Sequence, residues 1–253
     1  MSRYSCNTAR ALLAAASVSL ATASWAEEHA SKKPEVYLTG YLFATALSGK
    51  ASAFAGMPPA DVDLSFSDVV EHLDMGFMSA VEVRNGRWGF LADVMYSQVS
   101  PTGAVPGPLP LAVTLRQRSL TLQGNVLYRV HETPGVSVDL GAGLRYWKLD
   151  NEATSNAPVG PAPFTERVDW IDGVVMARVT TQLDGPWSLT FLGDVGGGGS
   201  DLTWQLLGTV NYQKNDRLAL RAGYRVLSAD YEDNGFVYDI RMQGPVIGLT
   251  YRF

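Results

Sequence analysis

Val136-Ser137-Val138-Asp139-Leu140-Gly141-Ala142-Gly143-Leu144-Arg145-Tyr146-Trp147 alternates without a break. Val136, Val138, Leu140, Ala142, Leu144 and Tyr146 fall on one face, with Ser137, Asp139, Gly141, Gly143 and Arg145 on the other. Successive side chains of a strand point to opposite faces, so period two means β-structure with one apolar and one polar side. The polar side holds ionic residues, which suits a water-filled or ion-paired interior. The apolar side has no charge, which suits lipid. Length agrees, because roughly 9–11 residues of tilted strand cross a bilayer.

The same pattern recurs outward from this segment. Thr114–Val130 sets Leu120, Leu122, Val126, Tyr128 and Val130 against Ser119, Thr121, Gln123, Asn125 and Arg129. Ser188–Gly196, behind Trp187, sets Leu189, Phe191 and Val195 against Ser188, Thr190 and Asp194. Leu202–Gln213 and Leu218–Ala229 read likewise, the latter with Arg221 and Arg225 on its polar face. Val36–Leu47, Leu73–Arg84, Arg87–Val99, Val168–Leu183 and Val237–Phe253 complete a set of ten, with eight as the alternative count. The last changes phase near Gly244-Pro245, since Tyr238, Ile240 and Met242 share one parity while Ile247, Leu249, Tyr251 and Phe253 share the other. A β-bulge there would reconcile the halves.

Connections alternate in length. Asn85-Gly86 (a type I′ hairpin signal), His131–Gly135, Asp184-Gly185-Pro186 and Lys214–Asp216 are short. Ser48–His72, Ser100–Val113, Asp150–Arg167, Gly197–Asp201 and Glu232–Gly235 are longer or rich in Gly and Pro. Short turns at one end and long loops at the other is the transmembrane-barrel arrangement, with the short end periplasmic. Trp88, Tyr128, Trp187, Tyr212 and Phe253 are expected at the periplasmic interface, and Tyr96, Tyr146, Trp204 and Tyr231 at the outer one. A soluble barrel of the lipocalin kind would place apolar residues inside instead. The expected fold is therefore all-β: a closed, antiparallel, up-and-down transmembrane β-barrel.

The N-terminus carries Arg3 and Arg10, an apolar Ala11–Ala21 run and the small-residue stretch Ala23-Ser24-Trp25-Ala26. That pattern predicts a signal peptide over residues 1–26, leaving 27–253 as the barrel domain exported through the inner membrane. Cleavage after Ala23 fits as well. Losing two arginines moves the net charge from −5 to −7. An acidic chain without a basic run argues against nucleic acid as a partner. The single cysteine, Cys6, lies within the signal, and the three histidines, His29, His72 and His131, are far apart in sequence. Thiol chemistry and zinc-type clusters are thereby excluded, and no cofactor or metal is expected.

Two stretches carry a resemblance. The end, Val246-Ile247-Gly248-Leu249-Thr250-Tyr251-Arg252-Phe253, looks like the assembly signal of bacterial outer-membrane proteins, with Leu249, Tyr251 and Phe253 as its alternating apolar residues. The resemblance implies the barrel assembly machinery as a partner. Asp61-Val62-Asp63-Leu64-Ser65-Phe66-Ser67-Asp68-Val69-Val70 through Leu73-Asp74-Met75-Gly76, then Glu82-Val83-Arg84-Asn85-Gly86-Arg87-Trp88-Gly89, is similar to an uncharacterised group of proteobacterial outer-membrane β-barrels, in the porin-like, small OmpA-type superfamily. It implies a Gram-negative cell envelope, with outer-membrane lipid and lipopolysaccharide as surroundings. It implies no activity.

Candidate functional residues come from the inward faces. Asp74, Glu82, Asp93, Asp139, Asp172, Asp194 and Asp239 are expected to meet Arg84, Arg145, Arg178, Arg221, Arg225, Arg241 and Arg252 in the lumen. Eight-stranded barrels are filled by side chains and 16–18 strands are needed for an aqueous channel, so about ten predicts a plugged, ion-paired scaffold. A narrow channel for small solutes is the competing expectation. Trp147 and Trp170 are expected inside near the outer rim, either as a binding surface or stacked to close the top. In the loop 49–72, Ser65 and Asp68 match a capping box before Phe66, Val69, Val70 and Leu73, which predicts a short helix, on the surface or as a plug. Enzymatic roles find little support. Outer-membrane proteases of ten strands pair an acidic couple with an Asp-His couple; Asp61 and Asp63 supply the first, but no Asp-x-His follows. Nor is there a His–Ser constellation of the kind a lipid-acyl enzyme needs.

Overall fold

The computed structural model describes residues 33–105, 111–155 and 163–253; the signal-peptide expectation and parts of two long loops lie outside them. The chain forms β1 (Glu35–Phe43), β2 (Ala46–Ala51), β3 (Ala60–Leu64), helix α1 (Phe66–Glu71), β4 (Leu73–Asn85), β5 (Trp88–Val99), β6 (Thr102–Val105), β7 (Leu111–Glu132), β8 (Val136–Ser155), β9 (Phe164–Gln182), β10 (Trp187–Gly198), β11 (Leu202–Gln213), β12 (Leu218–Asp233) and β13 (Phe236–Arg252). Every pairing is antiparallel, and β1 pairs with β13 to close the ring. β1 and β2 lie in one register along β13, Phe43 opposite Val246 and Ala46 opposite Gln243, so they are two parts of one barrel strand. The barrel thus has ten strands, with β3 and β6 as additions at the long-loop end.

Closure pairs strand edges that in lipid would leave N–H and C=O groups without partners; the β1–β4 seam is the shortest, from Glu35 opposite Arg84 to Gly40 opposite Ser79. The outer face carries an exposed apolar side chain from each barrel strand: Leu42, Phe77, Phe90, Val126, Leu144, Val175, Phe191, Leu206, Tyr224 and Ile247. At the short-turn end Trp88 packs on Tyr128, Trp187 on Tyr212 and Tyr251 on Phe253, with ring centroids 4.8–4.9 Å apart. Amphipathic rings at one level mark an interface between apolar and aqueous surroundings.

β7, β8 and β9 run for 22, 20 and 19 residues, about twice what a bilayer requires. They continue past the apolar belt at the long-loop end, and there the polarity of the wall reverses. The reversal corrects several expectations. β13 keeps one phase from Phe236 to Arg252, with no bulge at Gly244-Pro245. Tyr238, Ile240 and Met242 face inward, while Asp239 and Arg241, expected in the lumen, face out. Arg241 lies over the Trp204 ring, 5.6 Å from its centroid. Tyr231, expected in the outer aromatic belt, is buried inside. Asp74 sits at a register shift between Leu73 and Met75, exposed, and accepts hydrogen bonds from Gln98 and Ser100.

The turns also differ in detail. Asn85 is still paired, opposite Trp88, so the loop is Gly86-Arg87. Only Gly86 has positive φ (+58°), whereas a type I′ turn needs two such residues. The two-residue loop Asn234-Gly235 has both, at +49° and +79°. Within the wall, inward-facing Gly143 lies so close to β7 that an added Cβ would fall 1.9 Å from the Gly124 carbonyl oxygen. Gly143→Ala is expected to cost about 1–3 kcal/mol through forced strand displacement. Urea unfolding of the detergent-folded protein, compared with Ala142→Gly on the outer face, checks it.

Candidate functional site

The lumen draws inward-facing residues from all ten barrel strands, and it is stratified. Nearest the short turns lies an ionic layer. Asp139 on β8 accepts from Arg84 (3.1 and 3.2 Å), Arg129 (2.9 Å) and Arg178 (2.8 and 3.1 Å). Glu82 accepts from Arg178 at 2.7 and 2.8 Å and from Arg84 at 3.0 and 3.2 Å. Two carboxylates thus sit among three guanidiniums from three different strands. Forked donors against carboxylates give the strongest class of side-chain hydrogen bond. Arg129 joins because it lies directly opposite Asp139 across the β7–β8 pair, just before a register shift at His131. Its role was missed, although its inward parity was legible.

Above this layer Leu127, Met176 and Leu192 form an apolar band. A second polar layer follows. Arg145, fully buried, donates to Asp194 (2.7 Å), Gln123 (2.7 and 3.1 Å) and Thr203 (2.7 Å). Asp194 also accepts from Gln123 and Gln205. Arg225 donates to Gln205 and to the Tyr41 hydroxyl, and lies 3.4 Å from Asp93, which accepts a hydrogen bond from the Tyr41 hydroxyl. Asp172 has no arginine within ion-pair distance among the described residues; it is buried and accepts from Trp170 Nε1 and from the backbone of Gly199 and Ser200. It fastens the β10–β11 turn to the wall. The Arg221 side chain points into the lumen and forms neither a hydrogen bond nor an ion pair among the described residues; its buried Nε has no partner. Arg252 lies exposed at the strand end.

The topmost layer is aromatic. Trp147 and Trp170 stack with centroids 5.6 Å apart and planes 13° from parallel. Trp170 stacks in turn on Tyr231 at 4.1 Å, and Tyr238 packs against both indoles. Leu149, Leu227, Phe236 and Ile240 fill the spaces between. Trp147 is 0% and Trp170 5% exposed, so these rings close the barrel and present no face at the rim. Ser52–Met57 crosses above them. Ser52 N–H donates to Val237 O, Gly56 N–H to Gly235 O, and Asn151 Nδ2 to Ala53 O, while Phe54 meets Phe164 edge-on at 4.6 Å. Helix α1 buries no residue and stays outside the lumen. Its capping box forms as the spacing implied, and the Ser65 hydroxyl and N–H hold the Asp68 carboxyl below its ordinary range.

No group of three or more potential metal ligands occurs among the described residues. No protein-family model and no curated protein matches the chain. Among solved structures, the translocator domain of the autotransporter NalP from Neisseria meningitidis is similar at 10% identity, covering 89% of this chain and 90% of that one, with a TM-score of 0.46. Neisserial surface protein A aligns over 89% and 100% at 14% identity and a TM-score of 0.36. A major outer membrane protein from Thermus thermophilus aligns over 88% and 100% at 15% identity and a TM-score of 0.39. Likeness at this level assigns no role. The form itself, a closed ten-stranded antiparallel barrel with an apolar belt and a filled interior, is that of an outer-membrane-type β-barrel.

Removing one partner of a buried ion pair strands the other charge, at about 3–5 kcal/mol. Asp194→Ala is therefore expected to destabilise the barrel by that amount, whereas the double variant Arg145→Met/Asp194→Leu loses distinctly less. Unfolding of the two variants in detergent and urea separates them.

Proposed function

We infer that the mature chain, after loss of residues 1–26, spans the outer membrane of a Gram-negative bacterium as a sealed scaffold with a structural or surface-interaction role. The observation that carries this reading is the Trp147–Trp170–Tyr231 stack beneath the Ser52–Met57 crossing. A conducting pore needs a continuous wet path, and close-packed aromatic side chains remove it. The protruding ends of β7, β8 and β9 support the surface part of the reading. Outside the apolar belt they carry ion pairs between Arg116 and Glu152 and from Asp150 to both Lys148 and Arg167. Such a rigid, charged collar offers other molecules a fixed relief rather than a flexible fringe.

Location rests on the outward apolar belt and on the signal-like N-terminus. The final strand, with Leu249, Tyr251 and Phe253 facing out, would be the part read by the barrel assembly machinery. Nothing in the lumen supports an enzymatic role: its carboxylates are tied to arginines, amides, hydroxyls or backbone donors.

Reconstitution of the purified protein in planar bilayers is expected to give no conductance steps. Trp147→Ala/Trp170→Ala/Tyr231→Ala, which empties the closing layer, is expected to give small steps in the same assay. Steady steps from the unaltered protein would overturn the sealed reading in favour of a narrow channel. Recovery of the native chain in a detergent-free soluble fraction would remove the membrane assignment.

A further inference from the structure

Between the two polar layers the lumen keeps a cavity of about 110 Å³. Arg221 and Thr209 line it together with Glu82 and Arg178, and Leu192 and Leu207 add an apolar patch. The arginines around it are not equivalent. Arg84, Arg129, Arg145, Arg178 and Arg225 each lie within 4 Å of a carboxylate. Arg221 has none at that distance among the described residues, and Glu82, which shares the cavity, is already taken by Arg178 and Arg84. A guanidinium held in an interior without a counter-ion is costly, so a fold that keeps one is stabilised by any anion that reaches it.

An anion would enter from the short-turn end, past Glu82 and Arg178. Side-chain exposure is 16% at Glu82, 11% at Arg178 and 18% at Asp93, which line the cavity, against 0% at Arg145 and Asp194 beyond it. The aromatic layer blocks the other end. One water occupies roughly 10–15 Å³ on this scale, so the space admits about seven to eleven waters or a chain of a few carbons. A single unpaired cation favours one negative charge, and Glu82 opposes a second. Leu192 and Leu207 suit a short alkyl tail.

We propose that this cavity is a binding site for a small organic monoanion, a short-chain carboxylate, held by the guanidinium fork of Arg221. The carboxylate takes paired hydrogen bonds from Arg221, and its tail packs on Leu192 and Leu207. The site does not depend on whether the barrel conducts. Under the membrane reading it faces the periplasm.

Titration calorimetry on the full chain folded in detergent, with butyrate as the probe, tests it. Butyrate is expected to bind, succinate more weakly and butylamine not at all. Arg221→Met is expected to weaken butyrate by about tenfold or more, while Arg217→Met, on the exposed turn just before, matches the unaltered protein. Leu207→Phe, which fills the apolar patch with Arg221 intact, should also weaken butyrate but leave formate bound. If Arg221→Met does not fold, as judged by heat-dependent gel mobility, the Arg221 Nε–H resonance of the unaltered protein is followed instead and should move on butyrate addition. Absence of both heat and resonance shift, or equal affinity in a folded Arg221→Met, overturns the proposal. So does equal binding of butylamine.

Discussion

The pairing of β1 with β13 is the constraint on which the molecule depends. Once Tyr37 lies opposite Arg252 and Phe43 opposite Val246, the ring is closed, and the backbone over most of the apolar belt finds its partners within the wall. Side-chain chemistry then has only two places to go. Outward residues meet whatever surrounds the barrel, and inward residues must satisfy one another in a narrow tube. The stratified interior follows from the second requirement. Ionic residues are tolerated inside because opposite charges arrive from neighbouring and from more distant strands, as with Asp139, which lies beside Arg129 and Arg178 and is reached by Arg84 from β4.

Much of this was legible from alternation alone. The ten-strand count and the inward parity of Asp139, Arg145, Arg178, Asp194 and Arg225 follow from period two. The misplacements at the long-loop end share one cause. Reading the wall as apolar-out and polar-in along its whole length assumes that the whole wall is in lipid. β8, β9, β12 and β13 outrun the belt, and beyond it the ordinary rule of water-facing sheets returns, apolar in and polar out. Asp239 and Arg241 were therefore assigned to the lumen, and Tyr231 to the outside, when each does the reverse. The apparent phase change in β13 was a change of solvent, not of backbone.

What alternation could not supply was which inward residues meet. Trp147 pairs with Trp170 directly across β8 and β9, so their contact was within reach of register arguments. The approach of Tyr231 from β12 was not, because the barrel's curvature brings it there. Likewise the isolation of Arg221 depends on a comparison of distances across the lumen. A formal charge count treats it as one more member of a balanced set.

The contacts that organise the interior join distant parts of the chain. Arg178 holds Glu82 across 96 positions, and Arg225 reaches Tyr41 across 184. Loops of that span must close before such contacts contribute anything, which makes folding slow and concentrates its gain late. Half-made rings would keep the neighbour pairs of Asp139 with Arg129 and Arg178 but leave Arg178–Glu82 and Arg84–Asp139 unmade, so intermediates gain little by lingering. The expected kinetic character is that of a clasp: hairpins come and go freely until the terminal strands meet, and the whole interior then locks in one cooperative step.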